Sequence, residues 1–539
     1  MKRKRELMLT SLVTLSMAAT AEERPNIVVL FADDISAREF PVYESSVWTS
    51  PSSKNTSDME YRAKTPVMER LVEQGVLINN AWACSISSPS RAQMMTGRYA
   101  ATQKWWHNND CGAFLNPETG KQETWNLYES SPLMMGKIAQ NAGYATVWAG
   151  KTQMAHTDVN IDKYGFDEGC YTPGDLSNPS PYTDFVMDRV VGEKGLYKVR
   201  DTGRDTTAYM QTSYYWYPSV QRVNAPRAMA KNKMEPWGGD KNDKQKFGLT
   251  TYGPDVEQDY IFDFMERKQS EEKPFLVYHT AHVGHDAFNF LDITQESKWP
   301  STPIVTWDGE KYTRKEPKIT GDNGVYDTHN TLSPMGMHSH VSYLDYMIWR
   351  YIEQFKKMGI EDNTVLIIAA DNGTSGYGKA SPDRQKGVHI PLIIYAPCLD
   401  MTKSGAQDVL ANIGDVVPTI ADIVGFEIPV DYHMDGESML PFLTTDKSKH
   451  RDWIYSYRSQ MQLIRGEKVL RDGFGKWWDV ETIPADLISF PEITDWNKVS
   501  AAHRAERDEL EQTMKQFDVY TTEYNGPGGT ATPKFGKKK

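Results

Sequence analysis

Four short stretches of this chain end in residues that could together hold a divalent cation and an oxyanion. Asp33-Asp34 follows the apolar run Asn26–Phe31, and Lys151 follows Ala145–Gly150. His282 and His285 follow Pro274–Ala281, and Asp371-Asn372 follows Thr364–Ala370. Three carboxylates and a carboxamide are hard oxygen donors. They suit Ca²⁺, and Mg²⁺ less well, rather than Zn²⁺ or copper, which favour imidazole or thiolate. A fifth stretch, SSPSRAQMMTGR (Ser87–Arg98), reads as a short helix. Pro89 fits its first turn, where a missing N–H costs nothing, and Gly97 fits its C-terminal end. That sets Ser87 at a helix N-terminus, where the dipole favours negative charge, with Arg91 one turn further on. Singly, each feature has a plain structural explanation: Ser87 and Asp33-Asp34 as helix caps, Asp371-Asn372-Gly373 as a tight turn.

Their common placement decides between the two. The apolar runs, together with Pro391–Ala396, are continuous rather than alternating, as in strands covered on both faces by helices. Helical patterns such as Pro132–Ala142 and Val341–Met358 lie between them, so the chain reads as α/β with a mostly parallel sheet. In such sheets ligands bind outside the carboxyl ends of the strands. The acid pairs, the lysine and the histidines all fall there.

The 539 residues fit one large α/β domain with an appendage. Polar insertions at Val42–Tyr61 and Gly192–Lys246 decorate it. After Asp435–Leu443 the pattern changes to a strand pair, Trp453–Tyr457 and Met461–Arg465, then a charged helix, Asn497–Phe517. The expected division is a leader over 1–21, a catalytic domain over 22–445 and a smaller C-terminal unit over 446–539 with a frayed basic tail. The leader has a basic start, MKRKR, a short apolar stretch and a small-x-small site, Ala19-Thr20-Ala21, which predicts export to the periplasm or beyond. The apolar stretch is too short for comfortable membrane insertion. A formal charge of −12 argues against nonspecific nucleic-acid binding. Four cysteines, Cys84, Cys111, Cys170 and Cys398, allow three pairings and show no zinc-site spacing.

The Ser87–Arg98 stretch resembles the sulfatase signature, in which Cys or Ser, any residue, Pro, Ser and Arg precede a Thr-Gly-Arg ending. Pro89 and Arg91 fix the register on Ser87 and leave Cys84 outside it. The resemblance extends over most of the chain: RPNIVVLFADD (Arg24–Asp34), NAGYATVWAGK (Asn141–Lys151), KPFLVYHTAHVGHDAF (Lys273–Phe288), DNTVLIIAADNGTSGYGK (Asp362–Lys379) and DGESMLPFL (Asp435–Leu443). It implies an alkaline-phosphatase-like fold, a mixed, mostly parallel sheet between helices, with a C-terminal α+β subdomain containing an antiparallel sheet. It also implies that Ser87 is oxidised to Cα-formylglycine by a serine-type maturing enzyme. The ion would be held by Asp33, Asp34, Asp371, Asn372 and the modified Ser87. Arg91, Lys151 and Lys379 would receive the sulfuryl oxygens, and His285 would protonate the leaving oxygen.

The chain departs from the family pattern twice. Gln153 stands where a histidine usually follows Gly-Lys-Trp, so either Gln153 hydrogen-bonds there or His156 substitutes. GKASPDRQKGVHIP (Gly378–Pro391) lacks the usual Glu-Gly-Gly, which leaves Lys386 or Arg384 as alternatives to Lys379. His282, with Gln153 and Lys386, is a candidate for substrate contact, and His338 and His340 could line the same subsite. The expected substrate is a sulfated carbohydrate, and Trp105-Trp106, Tyr214–Tyr217 and Trp477-Trp478 could stack on sugar faces. Two rival readings stand beside this: a phosphoesterase of the same superfamily using Ser87 directly, and an inactive glycan-binding relative. Oligomeric state is not legible.

Overall fold

The computed structural model describes residues 24–108, 110–111, 113–115, 119–120, 122–154, 160–171, 252–285, 287–288, 302–315 and 333–519. It adds short strands at 187–189, 197–199, 205–206, 220–223 and 234–237. The expected leader, His156, Tyr214–Tyr217 and the expected tail lie outside the described residues.

The sheet has ten strands: β1 (Asn26–Ala32), β2 (Val76–Trp82), β3 (Ala145–Gly150), β4 (Glu168–Tyr171), β5 (Val220–Val223), β6 (Met234–Trp237), β7 (Phe275–Thr280), β8 (Thr364–Ala370), β9 (Leu392–Tyr395) and β10 (Gly405–Asn412). Their spatial order is β6-β5-β4-β3-β7-β1-β8-β9-β2-β10. β4, β3, β7, β1 and β8 run parallel to one another. β9 is inserted antiparallel between β8 and β2, and β5 runs antiparallel to β4. The run at Pro391–Ala396 is therefore a buried strand, though a reversed one. Every residue of β1, β3, β7 and β8 is buried, which explains runs without polar alternation.

Two groups of helices cover the sheet. One comprises α1 (Pro66–Gln74), α4 (Gly253–Ser270) and α5 (Met337–Met358). The other comprises α2 (Ser87–Thr96), α3 (Met135–Asn141) and α6 (Val416–Val424), and α3 and α4 both pack on β3 and β7. A single apolar core runs through sheet and helices.

Past residue 445 the chain forms a four-stranded antiparallel sheet, β11 (Ile454–Arg458), β12 (Met461–Arg465), β13 (Val469–Arg471) and β14 (Trp477–Asp479), followed by α7 (Ala501–Met514). Buried Asp415, just before α6, ties this unit down. It accepts hydrogen bonds from the Asn412 N–H (2.8 Å), the Glu437 N–H (2.9 Å), His450 Nε2 (2.9 Å) and Arg451 Nε (2.8 Å). Burial opposes its charge, yet Arg451 and His450 outweigh burial and hold the carboxyl well below the usual carboxylate range.

The tryptophan pairs do not serve as sugar platforms. Trp105, Trp106, Trp477 and Trp478 are all buried in core clusters. Cys84, Cys170 and Cys398 are free thiols.

Candidate active site

The two acid pairs meet because their strands are neighbours in register. Ala32 on β1 faces Ala370 on β8, so the next residues of both strands leave the sheet side by side. Asp34 turns back with φ +57°, a left-handed conformation. Its N–H donates to Asp371 Oδ1 at 2.9 Å, and Asn372 Nδ2 donates to Asp34 Oδ1 at 2.8 Å. Asp33, Asp34 and Asp371 each present a carboxylate oxygen within 4.8 Å of the others, the one such group among the described residues. All three, with Asn372, are fully buried.

Ser87 is the first residue of α2, after Ile86, and its side chain does not cap the helix. Its hydroxyl instead donates to Asn372 Oδ1 at 3.0 Å. Gly97, with φ +66°, closes the helix as expected. Arg91, one turn on, donates to Asp371 Oδ2 at 2.9 Å and stands 3.2 Å from Asp33 Oδ1. That Asp33 oxygen is buried and accepts no hydrogen bond of good geometry. Two lysines complete the ring: Lys151 Nζ at 2.5 Å from Asp33 Oδ2, and Lys379 Nζ at 2.6 Å from Asp34 Oδ2. His285 Nε2 lies 3.8 Å from Asp34 Oδ2.

The electrostatics follow from this crowding. Burial pushes Asp33 up, but Lys151, Arg91, His285 and Lys379 together hold it well below the usual range. Asp371 is pushed up to about 6 by burial and by the Asp33 charge, against the pull of Arg91. Burial lowers the Lys379 ammonium's affinity for its proton, yet Asp34 and Asp33 leave that affinity raised. Like charges this close resist joint ionisation unless more positive charge arrives. Three carboxylates and a carboxamide, with an Asp33 oxygen that accepts no hydrogen bond of good geometry, fit a divalent cation that prefers oxygen donors.

Backbone space is equally tight. Gly284, at φ +113°, would place a Cβ 1.9 Å from the Asp33 carbonyl oxygen, so only glycine lets the His282–His285 turn pass β1. Gly150, at φ +99°, would place one 2.2 Å from the Thr280 carbonyl oxygen. Lys151 therefore leaves β3 hard against β7, and its N–H bonds to that same oxygen at 2.8 Å.

The remaining candidates separate. Lys386 lies 2.7 Å from Asp383, and Arg384 lies 2.8 Å from it and over the Trp478 ring. Among the three alternatives, Lys379 is the one at the carboxylates. Gln153, at φ +45°, has a buried Oε1 with no hydrogen-bond partner. His282 is buried, with Nδ1 3.9 Å from Glu257 Oε1, and burial followed by the Lys151 charge lowers its proton affinity well below that of free histidine. His340 Nδ1 accepts from the Gly284 N–H at 3.0 Å, which makes it a support of the turn. His338 packs edge-on to Tyr61. Sequence reasoning missed Glu257, which is fully buried between His279 (3.4 Å) and His282. A signal existed: on α4, Glu257 falls in the helical stripe shared by buried Tyr260, Ile261 and Phe264, and an acid on a buried stripe needs a reason.

Residues 25–426 match the family model described as Sulfatase. The chain is similar to an N-acetylglucosamine-6-O-sulfatase of Bacteroides thetaiotaomicron, at 22% identity over 561 residues, covering 96% of this chain and 92% of that one. It is also similar to an ulvan-active sulfatase of Formosa agariphila, at 22% identity over 508 residues, covering 92% of this chain and 75% of that one. The fold is shared with the crystal structure of Ps i-CgsB in complex with k-i-k-neocarrahexaose, with a TM-score of 0.56 and 18% identity, over 92% of this chain and 93% of that one.

Proposed function

Because this chain belongs to the sulfatase family, and is a sulfuric ester hydrolase, we propose that it removes sulfate from a sulfated carbohydrate after export, using a formylglycine made from Ser87 and a bound Ca²⁺. The observation that carries the reading is the hydrogen bond from buried Ser87 to Asn372, inside a ring of three crowded carboxylates and three cations. The sugar substrate is supported by the names of the similar proteins, which specify an aminosugar sulfate and ulvan, and by the hexasaccharide complex.

Asp33, Asp34, Asp371 and Asn372, with residue 87, would hold the ion. When present, the ion would supply Lewis acidity, and a formylglycine at position 87 would supply, on hydration, two hydroxyls on one carbon, which a plain serine lacks. Arg91, Lys151 and Lys379 already converge on the carboxylates, so a sulfuryl group entering there meets fixed positive charge aimed at its oxygens. Such preorganised charge needs no rearrangement as the transition state forms. His285, on the turn held by His340, would offer a proton from Nε2 to the departing sugar oxygen. Gln153 and His282 are the hydrogen-bonding groups placed next to this centre in the reading, while Lys386 stays on Asp383.

The test is to weigh the peptide ending at Arg91 from protein made beside a serine-oxidising maturase, and to assay sulfate release on the same preparation. A loss of two hydrogens at Ser87 together with sulfate release is the expected result. Unmodified Ser87 in protein that still releases sulfate or phosphate overturns the formylglycine reading and selects a direct serine nucleophile.

A further inference from the structure

A groove of about 530 Å³ lies on the C-terminal unit, away from the carboxylate ring, between β12, the β13–β14 turn and α7. At its lip stands Phe474, 66% exposed, whereas the tryptophan pairs are buried. The turn that carries it is braced. Buried Asp472 accepts the N–H groups of Phe474 (2.9 Å) and Lys476 (3.0 Å) through Oδ1 and the Trp478 indole N–H (2.9 Å) through Oδ2. A phenyl ring held in water on a rigid turn keeps its apolar face ready for a partner and loses little freedom when one arrives.

The groove's polar groups are of mixed sign. The Arg471 guanidinium meets the Met514 thioether at 3.9 Å and makes no salt bridge among the described residues. Lys515 Nζ donates to Gln512 at 2.9 Å. Glu511 and Asp518 add carboxylates, so the lining has no net charge and is rich in both donors and acceptors. Stacking plus directed hydrogen bonds is how a pyranose ring is recognised, and a bare guanidinium suits an anionic substituent on it.

The groove is also joined to the catalytic rim. The Gly473 N–H donates to the Pro382 carbonyl at 2.9 Å, and Arg458 spans from the Ala380 carbonyl to Met461, which lines the groove. Ala380 and Pro382 belong to the loop that carries Lys379.

We propose that this groove is a distal subsite for the carbohydrate chain whose sulfate is removed, with Phe474 stacking on a sugar ring and Arg471 holding an anionic group of a neighbouring residue. The proposal rests on the sulfated-carbohydrate reading. It makes the enzyme one that grips a chain at two places, not one that accepts any small sulfate ester equally.

The test uses the full chain with Phe474→Ala and Arg471→Ala, both at accessible positions. Affinity electrophoresis in gels cast with carrageenan, ulvan, chondroitin sulfate or heparin measures binding without turnover. The unaltered protein is expected to be retarded by at least one polymer, with Phe474→Ala binding roughly three- to tenfold more weakly. On a hexasaccharide from that polymer KM should rise by a similar factor with kcat unchanged, while hydrolysis of 4-methylumbelliferyl sulfate stays the same. No retardation in any of the four gels, or variants that bind and turn over like the parent, overturns the subsite. Retarded protein that has lost two hydrogens at Ser87 and yet releases no sulfate from polymer or aryl ester sinks the sulfated-carbohydrate reading and leaves the subsite standing.

Discussion

Two of the buried acidic centres among the described residues are built on opposite principles. Asp415 is saturated: two backbone N–H groups, a histidine and an arginine occupy its oxygens, and its carboxyl is held well below the usual range. At the carboxylate ring, three acids press together, one is pushed up to about 6, and a buried oxygen of Asp33 accepts no hydrogen bond. The first arrangement is complete within the chain and serves only to join two layers. The second crowds three carboxylates against Arg91, Lys151 and Lys379 and still leaves the Asp371 carboxyl raised, a condition that a further cation would relieve. Both centres are buried; they differ in how far partners within the chain occupy the carboxylate oxygens.

Four experiments bear on that contrast. The largest effect is expected from Arg91→Ala, which removes fixed charge at the reacting group: roughly a 10²- to 10³-fold loss in kcat. Its thermal midpoint should change far less than that of Asp415→Asn. A variant that lost folding and activity together would erase the distinction. Next, Asp415→Asn should destabilise the protein by about 3–5 kcal/mol, because Arg451 is left buried beside a neutral amide. Chemical denaturation measures this, with activity per folded molecule unchanged.

The same variant fixes the pH dependence. The folded-state pKa of Asp415 is depressed, so its stabilisation is present above the unfolded carboxylate value near 4 and is lost as pH falls toward the folded value. The stability gap between parent and Asp415→Asn should therefore be constant at neutral pH and narrow below about pH 4. A gap that widens on acidification would contradict the assignment.

Third, adding Ca²⁺ at about a hundredfold over its dissociation constant should stabilise chelator-treated parent protein by about 2.7 kcal/mol. Asp371→Asn should lose most of that gain, whereas Asp415→Asn should keep it. The smallest effect belongs to Lys386→Ala. With its ammonium on partly exposed Asp383, 2.7 Å away, it should change kcat/KM by less than about fivefold, far below the effect of Lys379→Ala. Equal losses from the two lysines would mean that Lys386 also reaches the substrate.

The carboxylate ring was largely legible in the sequence, and Asp415 was not. Strand ends can be found from apolar runs, and fold logic sends ligands there, so Asp33, Asp34, Lys151, His285, Asp371 and Asn372 could be gathered without coordinates. Ser87 needed the register set by Pro89 and Arg91. Beyond this, distance in sequence defeats local reading. Nothing near Asp415 announces His450 and Arg451 as its partners, and nothing in GKASPDRQKGVHIP tells which lysine turns inward. β2 and β10 were overlooked because their sequences, VLINNAW and GAQDVLAN, mix polar residues into the run. The Gln153 side chain illustrates a finer limit. Its replacement of a histidine could be read, but its left-handed backbone and unmet oxygen could not.

The joining of β1 to β8 also governs timing. Asp34 and Asp371 are 337 residues apart, so the central strands can pair only when most of the chain has been synthesised, and such distant closures are slow. Ser87, fully enclosed in the finished fold, is within an enzyme's reach only during that interval. Any oxidation of Ser87 is thus a race against folding. The fraction of active molecules would be fixed for life by how long the chain stays open, and a host that folds it quickly would yield well-formed protein without activity.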